Sequence, residues 1–161
     1  MTEYVCVTTY DGVAAQGRIR MGAWDTGPFD NDEAADWCDE LQNADPAERP
    51  SMIRQALWAA AEETGSLDHN TACAAIAAAA IVTSTVPGGQ PITSVYAPDF
   101  LPEGGTVELS TGIASLAVLA LDNVLGERSE WRDLWLNTES GTQRAAFDSV
   151  TDLRAVLQSA R

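Results

Sequence analysis

Apolar residues recur along much of this chain at intervals of three and four, the period of a helix with one buried face. Ala34, Trp37, Cys38 and Leu41 show it first, with Asp32, Glu33, Asp36, Asp39 and Glu40 on the other positions, so a helix is predicted over 32–43. Asp30 and Asn31 are candidates to cap it. Asp45-Pro46 and Pro50-Ser51 break the chain and open a second helix, in which Ile53, Ala56, Leu57 and Ala60 repeat the spacing and Gly65 marks the stop. Asp68 is placed to cap a third helix over 69–85. That helix is Ala-rich almost all round, so it is expected at the centre, with neighbours close against it. A fourth helix is predicted over 112–125, with Ile113, Leu116, Ala120, Leu121 and Val124 on one face and Val118, Leu119 and Leu125 adding to its apolar surface. Ser129 caps a short helix containing Trp131, Leu134 and Trp135; Thr142 opens a last one, with Phe147, Val150, Leu153, Val156 and Leu157 inward. Between the third and fourth helices, residues 86–111 hold four of the seven Pro and four Gly without a helical period. The fold class is therefore all-α: a compact bundle of five or six helices with one long Pro/Gly-rich loop. Within the loop, Thr93–Tyr96 and Thr106–Leu109 read as strand-like.

Charge changes the picture along the chain rather than uniformly. The 161 residues carry 24 acids and nine basic residues, all nine Arg, for a net charge of −15. Residues 1–20 are neutral, with Glu3 and Asp11 against Arg18 and Arg20. The expectation is an N-terminal extension over 1–20, disordered or lying upstream of a natural start at Met21, followed by a single helical domain over 21–161. Within the extension, Tyr4, Val5, Val7 and Tyr10 have the composition of a short strand. Between Arg20 and Arg49 there are nine acids and no basic residue.

An acidic surface repels phosphate backbones and anionic lipid, which argues against direct nucleic-acid or membrane binding. With no Lys there is no P-loop. The longest apolar run, Ala72 to Val82, has 11 residues, against the roughly 20 a membrane span needs. Cys6, Cys38 and Cys73 form no metal-binding or disulfide pattern, and free thiols suit a reducing cytoplasm.

The segment MGAWDTGPFDNDEAADW at 21–37 resembles the opening of a family of small bacterial proteins, domain of unknown function 4259. Met21, Gly22, Trp24, Gly27, Phe29, Asn31, Asp32, Ala34 and Asp36 match its pattern; Asp25 stands where the family usually has Gly. The resemblance continues more loosely through the third helix, ALDNVLG at 120–126 and SVTDLRAVL at 149–157, and so covers about 21–158. It implies no established activity, and so carries over no catalytic residue. Gly22, Trp24, Gly27, Phe29, Asp30, Asn31 and Trp37 are assigned a structural role within this motif.

Candidate chemistry is sparse. Asp30, Asp32 and Asp36 offer oxygens, but counting from Asp30 the sixth residue is Ala35 and the twelfth Leu41, which is no EF-hand loop. His69 is the sole His, and a Ser–His or Cys–His enzyme would have to use it. Cys73 follows it at i+4 and is able to face it on a helix, but most such pairs are incidental. No residue is assigned a catalytic or metal-binding role, and no cofactor is expected. The leading expectation is a cytoplasmic, acidic, regulatory protein-binding module, immunity- or antitoxin-like, with a basic protein as partner. Its candidate contacts are Asp32, Glu33, Asp36, Asp39 and Glu40, with Trp131 and Trp135 as an aromatic patch beside Arg128 and Arg132. For the acids the competing reading is a solvated face; for Trp131 and Trp135 it is core packing, and Trp24, Trp37 and Trp58 are expected as core or first-loop anchors. The loop residues Tyr96, Phe100 and Leu101 are a further contact candidate. Two other classes stand beside this one: a hydrolase using clustered carboxylates and a divalent metal, and a nucleic-acid mimic that inhibits by imitating phosphates.

Overall fold

A computed structural model describes residues 25–101 and 107–161, with six α-helices and no strand among them. They are α1 (Asp32–Asn43), α2 (Arg49–Ala61), α3 (His69–Ser84), α4 (Ile113–Val124), α5 (Glu130–Leu136) and α6 (Ser140–Ser159). The all-α fold follows the periodicity. The motif residues Gly22 and Trp24, and the strand suggested over Tyr4–Tyr10, lie outside the described residues.

Each helix start has a local cause. Asn31 is the N-cap of α1, its Oδ1 accepting from the Ala34 N–H at 2.8 Å. Asp32 and Glu33 then sit in the first turn, where the helix dipole favours negative charge. Asp30 is not a cap: its carboxylate accepts from the Gly27 N–H at 3.0 Å and closes the preceding turn. A side chain at Gly27 would run into that carboxylate. α2 carries Pro50 in its first turn, where a missing N–H costs nothing. α3 is capped by Asp68, which accepts from both the N–H and the Oγ1 of Thr71, at 2.9 and 2.7 Å. α4 enters through Gly112, at φ +88°, a conformation that suits glycine. Ser129 caps α5 by accepting from the Arg132 N–H at 3.3 Å. α6 starts two residues before the expected Thr142, directly after an extended Glu139.

The ends are closed by side chains from elsewhere. α1 has no basic residue in its last turn. Arg49 supplies one across the turn, with Nε donating to the Leu41 carbonyl at 3.1 Å and Nη2 to that of Gln42 at 2.8 Å. The same guanidinium lies 4.0 Å from the Phe100 ring centre and ties the long loop to α1. α2 ends at Ala61, before Gly65, because Asn123 of α4 donates to the carbonyls of Ala60 and Ala61 at 2.8 and 3.1 Å.

α3 is the axis of the molecule. Residues Ala72, Cys73 and Ala75 to Thr83 are all buried, and α1, α2, α4, α5 and α6 all pack on it. Alanine on every side lets those backbones come close. α4 is nearly as central, packing on α2, α3 and α6, but Leu119 is 54% exposed rather than part of the core. It lies on the same side of the helix as Ser115 and Asp122. Trp58, expected as a core anchor, is also half exposed because it lies one step beyond the buried face of Ile53, Ala56, Leu57 and Ala60. The strand-like stretches of the loop form no strand among the described residues: with no neighbouring strand, their backbone has nothing to ladder with. Ala97, Pro98 and Val107 anchor the loop by burial, while Val95 stays exposed.

Candidate functional site

The N-terminal ends of α1, α3 and α5 meet at one point, and the most chemically diverse side chains of the molecule gather there. Leu67 and Ser129 form an isolated bridge, with the Leu67 N–H donating to the Arg128 carbonyl at 2.8 Å and the Glu130 N–H to that of Leu67 at 2.9 Å. Glu130 Oε1 then accepts from the His69 N–H at 3.0 Å. With Asp68 as cap, these contacts hold the first turn of α3 rigidly. His69 and Cys73, four residues apart on that turn, stand on one face.

Cys73 Sγ lies 3.5 Å from His69 Nε2. Glu33 Oε1 of α1 approaches the same nitrogen to 3.4 Å. Nε2 therefore serves two neighbours with conflicting demands. As an acceptor it suits the thiol but faces the lone pairs of the carboxylate; as a donor it cannot take the thiol proton, and it makes no hydrogen bond to the carboxylate. Glu33 Oε1 is buried without a hydrogen bond. An oxygen left in that state costs about 1–3 kcal/mol, more when charged.

The Cys73 thiol is held well above its ordinary range, first by burial and then by the negative charges of Glu33 and Asp68. Cys38, on the buried face of α1, is pushed up to about 12, chiefly by burial and then by Asp39. Both are free thiols. A nucleophilic cysteine needs its thiolate stabilised, and in these surroundings neither has that. Among the described residues, one potential ligand atom from each of Glu33, His69 and Cys73 lies within 4.8 Å of the other two. The oxygens considered for a carboxylate metal site do not assemble in this way. Asp30 is engaged with Gly27, and burial raises its carboxyl above the usual value, with Asp25 adding to the rise. Asp32 and Asp36 face outward.

The other candidates divide by exposure. Asp32, Asp36, Asp39 and Glu40 form the exposed side of α1, while Glu33 is turned toward α3. Trp131 and Trp135 are 4% and 6% exposed, so they belong to the core and not to a contact patch. Their rings lie 6.2 Å apart, and Trp131 meets Phe147 edge-on at 5.4 Å. Arg132, expected beside an exposed patch, donates to the Leu125 carbonyl at 3.0 Å and closes the end of α4. In the motif, Phe29 is buried and Trp37 half-buried. In the loop, Phe100 and Leu101 pack on the core and Tyr96 is half exposed. Among the described residues no helix is long and apolar enough to cross a membrane.

This is an all-α protein whose first loop and first helix carry both the sequence motif and the acidic side chains. The family model for Domain of unknown function (DUF4259) matches residues 22–146, most of the chain, and the protein belongs to that family. The match ends within α6, before the segment at 149–157. No curated protein matches the chain, and no solved structure does.

Proposed function

We propose that this protein is a regulatory binding module that presents the outer side of α1 to a basic protein partner. The observation that carries the reading is the division of labour on that helix. Ala34, Cys38 and Leu41 are buried, whereas Asp32, Asp36, Asp39 and Glu40 point to solvent. The next basic residue in the chain, Arg49, makes its hydrogen bonds to two α1 carbonyls and stacks on the Phe100 ring. Like charges at i, i+4 weaken a helix by about 0.2–0.5 kcal/mol per pair. Long-range attraction to a basic surface is a use that offsets such a cost, since it raises association rates. Buried free thiols agree with a reducing, cytoplasmic setting.

The test compares the wild-type chain with Asp32→Asn/Asp36→Asn/Asp39→Asn/Glu40→Gln, each immobilised and exposed to lysate of the native host. A basic protein should be retained saturably by the wild type and lost by the variant. Retention should weaken between low salt and about 0.15 M, where the screening length is about 8 Å. Equal retention by both chains, or indifference to salt, refutes the reading.

A further inference from the structure

We propose that Glu33, His69 and Cys73 form a binding site for a zinc-class divalent metal ion. Independently of any partner at the outer side of α1, the three side chains supply one oxygen, one nitrogen and one sulfur from two packed helices. That mixture suits a borderline-soft ion; calcium and magnesium prefer oxygen alone.

The spacing agrees with such an ion. Zinc bonds of about 2.0–2.3 Å in a tetrahedron place neighbouring ligand atoms about 3.3–3.8 Å apart. His69 Nε2 is 3.4 Å from Glu33 Oε1 and 3.5 Å from Cys73 Sγ. The scaffold is also in place: Asn31 fixes the first turn of α1, and Asp68 and Glu130 fix that of α3.

Two further observations point to a cation. Glu33 Oε1 is buried and accepts no hydrogen bond, and a metal ion between it and Nε2 would satisfy both atoms. One carboxylate and one thiolate balance a double positive charge, so the filled site is neutral although buried. On binding, the ion displaces the thiol proton of Cys73, which passes to solvent. The site lies close to the surface, since the side chains of His69 and Glu33 are 16% and 28% exposed. Three protein ligands leave a fourth position for water or for a group from another molecule.

The experiment uses the full chain, stripped with chelator and kept reduced, titrated with zinc chloride by calorimetry and with cobalt(II) by absorbance. Zinc should bind saturably at a single site, and cobalt should give a thiolate-to-metal charge-transfer band with tetrahedral d–d absorption. Cys73→Ser should abolish the charge-transfer band, and Glu33→Gln and His69→Gln should each weaken zinc by at least about tenfold. Cys6→Ser and Cys38→Ser should leave both readouts unchanged. Circular dichroism establishes that each variant is folded; Glu33→Gln, at a part-exposed position, is the mildest change and carries the test should Cys73→Ser not fold. The proposal is overturned by the absence of saturable zinc uptake. It is equally overturned by undiminished binding in folded Glu33→Gln and His69→Gln, or by a charge-transfer band that disappears with Cys6 or Cys38 instead of Cys73.

Discussion

Replacing Ala78 with Leu tests the central position of α3 directly. Ala78 is 0% exposed on a helix that five others pack against. Ala and Leu have nearly equal helix propensity, so the substitution changes volume and little else. Extra carbons with no cavity to enter force side chains off their rotamers or move a backbone, at about 1–3 kcal/mol. Removing the methyl group should also destabilise. Ala78→Gly loses about 1 kcal/mol of propensity and about 0.8 kcal/mol of apolar burial, so about 2 kcal/mol together. Ala59, exposed on α2, is the control. There Leu should change stability by less than about 0.5 kcal/mol, and Gly should cost only the propensity of about 1 kcal/mol. Urea unfolding measures all four variants, with an unchanged m-value as the sign that two-state behaviour is kept. At about 2–4 °C per kcal/mol, Ala78→Leu should melt about 2–12 °C below the wild type. If Ala78→Leu matches Ala59→Leu, there is room around α3 and the packing argument fails.

Four other outcomes follow from the contacts of three residues. Asn123→Ala should cost about 1–2 kcal/mol in urea unfolding by releasing the carbonyls at the end of α2. Asn123→Asp should cost more at neutral pH, since it sets a carboxylate against those oxygens. Arg49→Lys keeps the charge but loses the fork and the stack on Phe100, and should lower stability by about 1 kcal/mol; a wild-type unfolding midpoint would show that neither contact matters. Asp30→Asn keeps an acceptor for the Gly27 N–H and should be at least as stable as wild type at neutral pH. Burial raises the carboxyl of the folded chain above 3.8, so folded Asp30 holds its proton more tightly than the unfolded chain does. Its contribution therefore becomes less favourable as pH rises through that interval, and acidification should narrow the gap between the two proteins. A gap that widens on acidification reverses the sign and refutes the argument.

The fold was largely legible because helix periodicity and burial are nearly the same information. α1 appears at the bounds its pattern suggests, and the alanine-rich composition of α3 points to its central place. The misreadings share one origin: an apolar residue is not evidence of a covered face. Leu119 shares its side of α4 with Ser115 and Asp122, and that polar company was the readable signal of exposure. Trp58 follows Leu57 directly, and one helical step of 100° carries it off the core. Thr142 is a plausible cap by composition, but the break set by Glu139 lies earlier and the helix begins there. Closures such as Arg49 on α1 and Asn123 on α2 join residues that no local pattern relates.

The site was only half legible for the same physical reason. His69 and Cys73 share one helix face by spacing alone, so their contact was open to view. Glu33 was grouped with the solvated acids, yet it stands at i−4 from Trp37 and i−8 from Leu41, on a row that turns toward the core. A carboxylate at the head of that row must meet whatever packs on α1, and here that is the first turn of α3. This separates the two functional readings of the helix. Asp32, Asp36, Asp39 and Glu40 are exposed and none of them belongs to the cluster of Glu33, His69 and Cys73, so neutralising them should abolish an electrostatic partner while zinc uptake at that cluster persists. Glu33→Gln should do the reverse. A variant of either kind that removes both activities would mean that α1 acts as one surface, with the ion and the partner bound together.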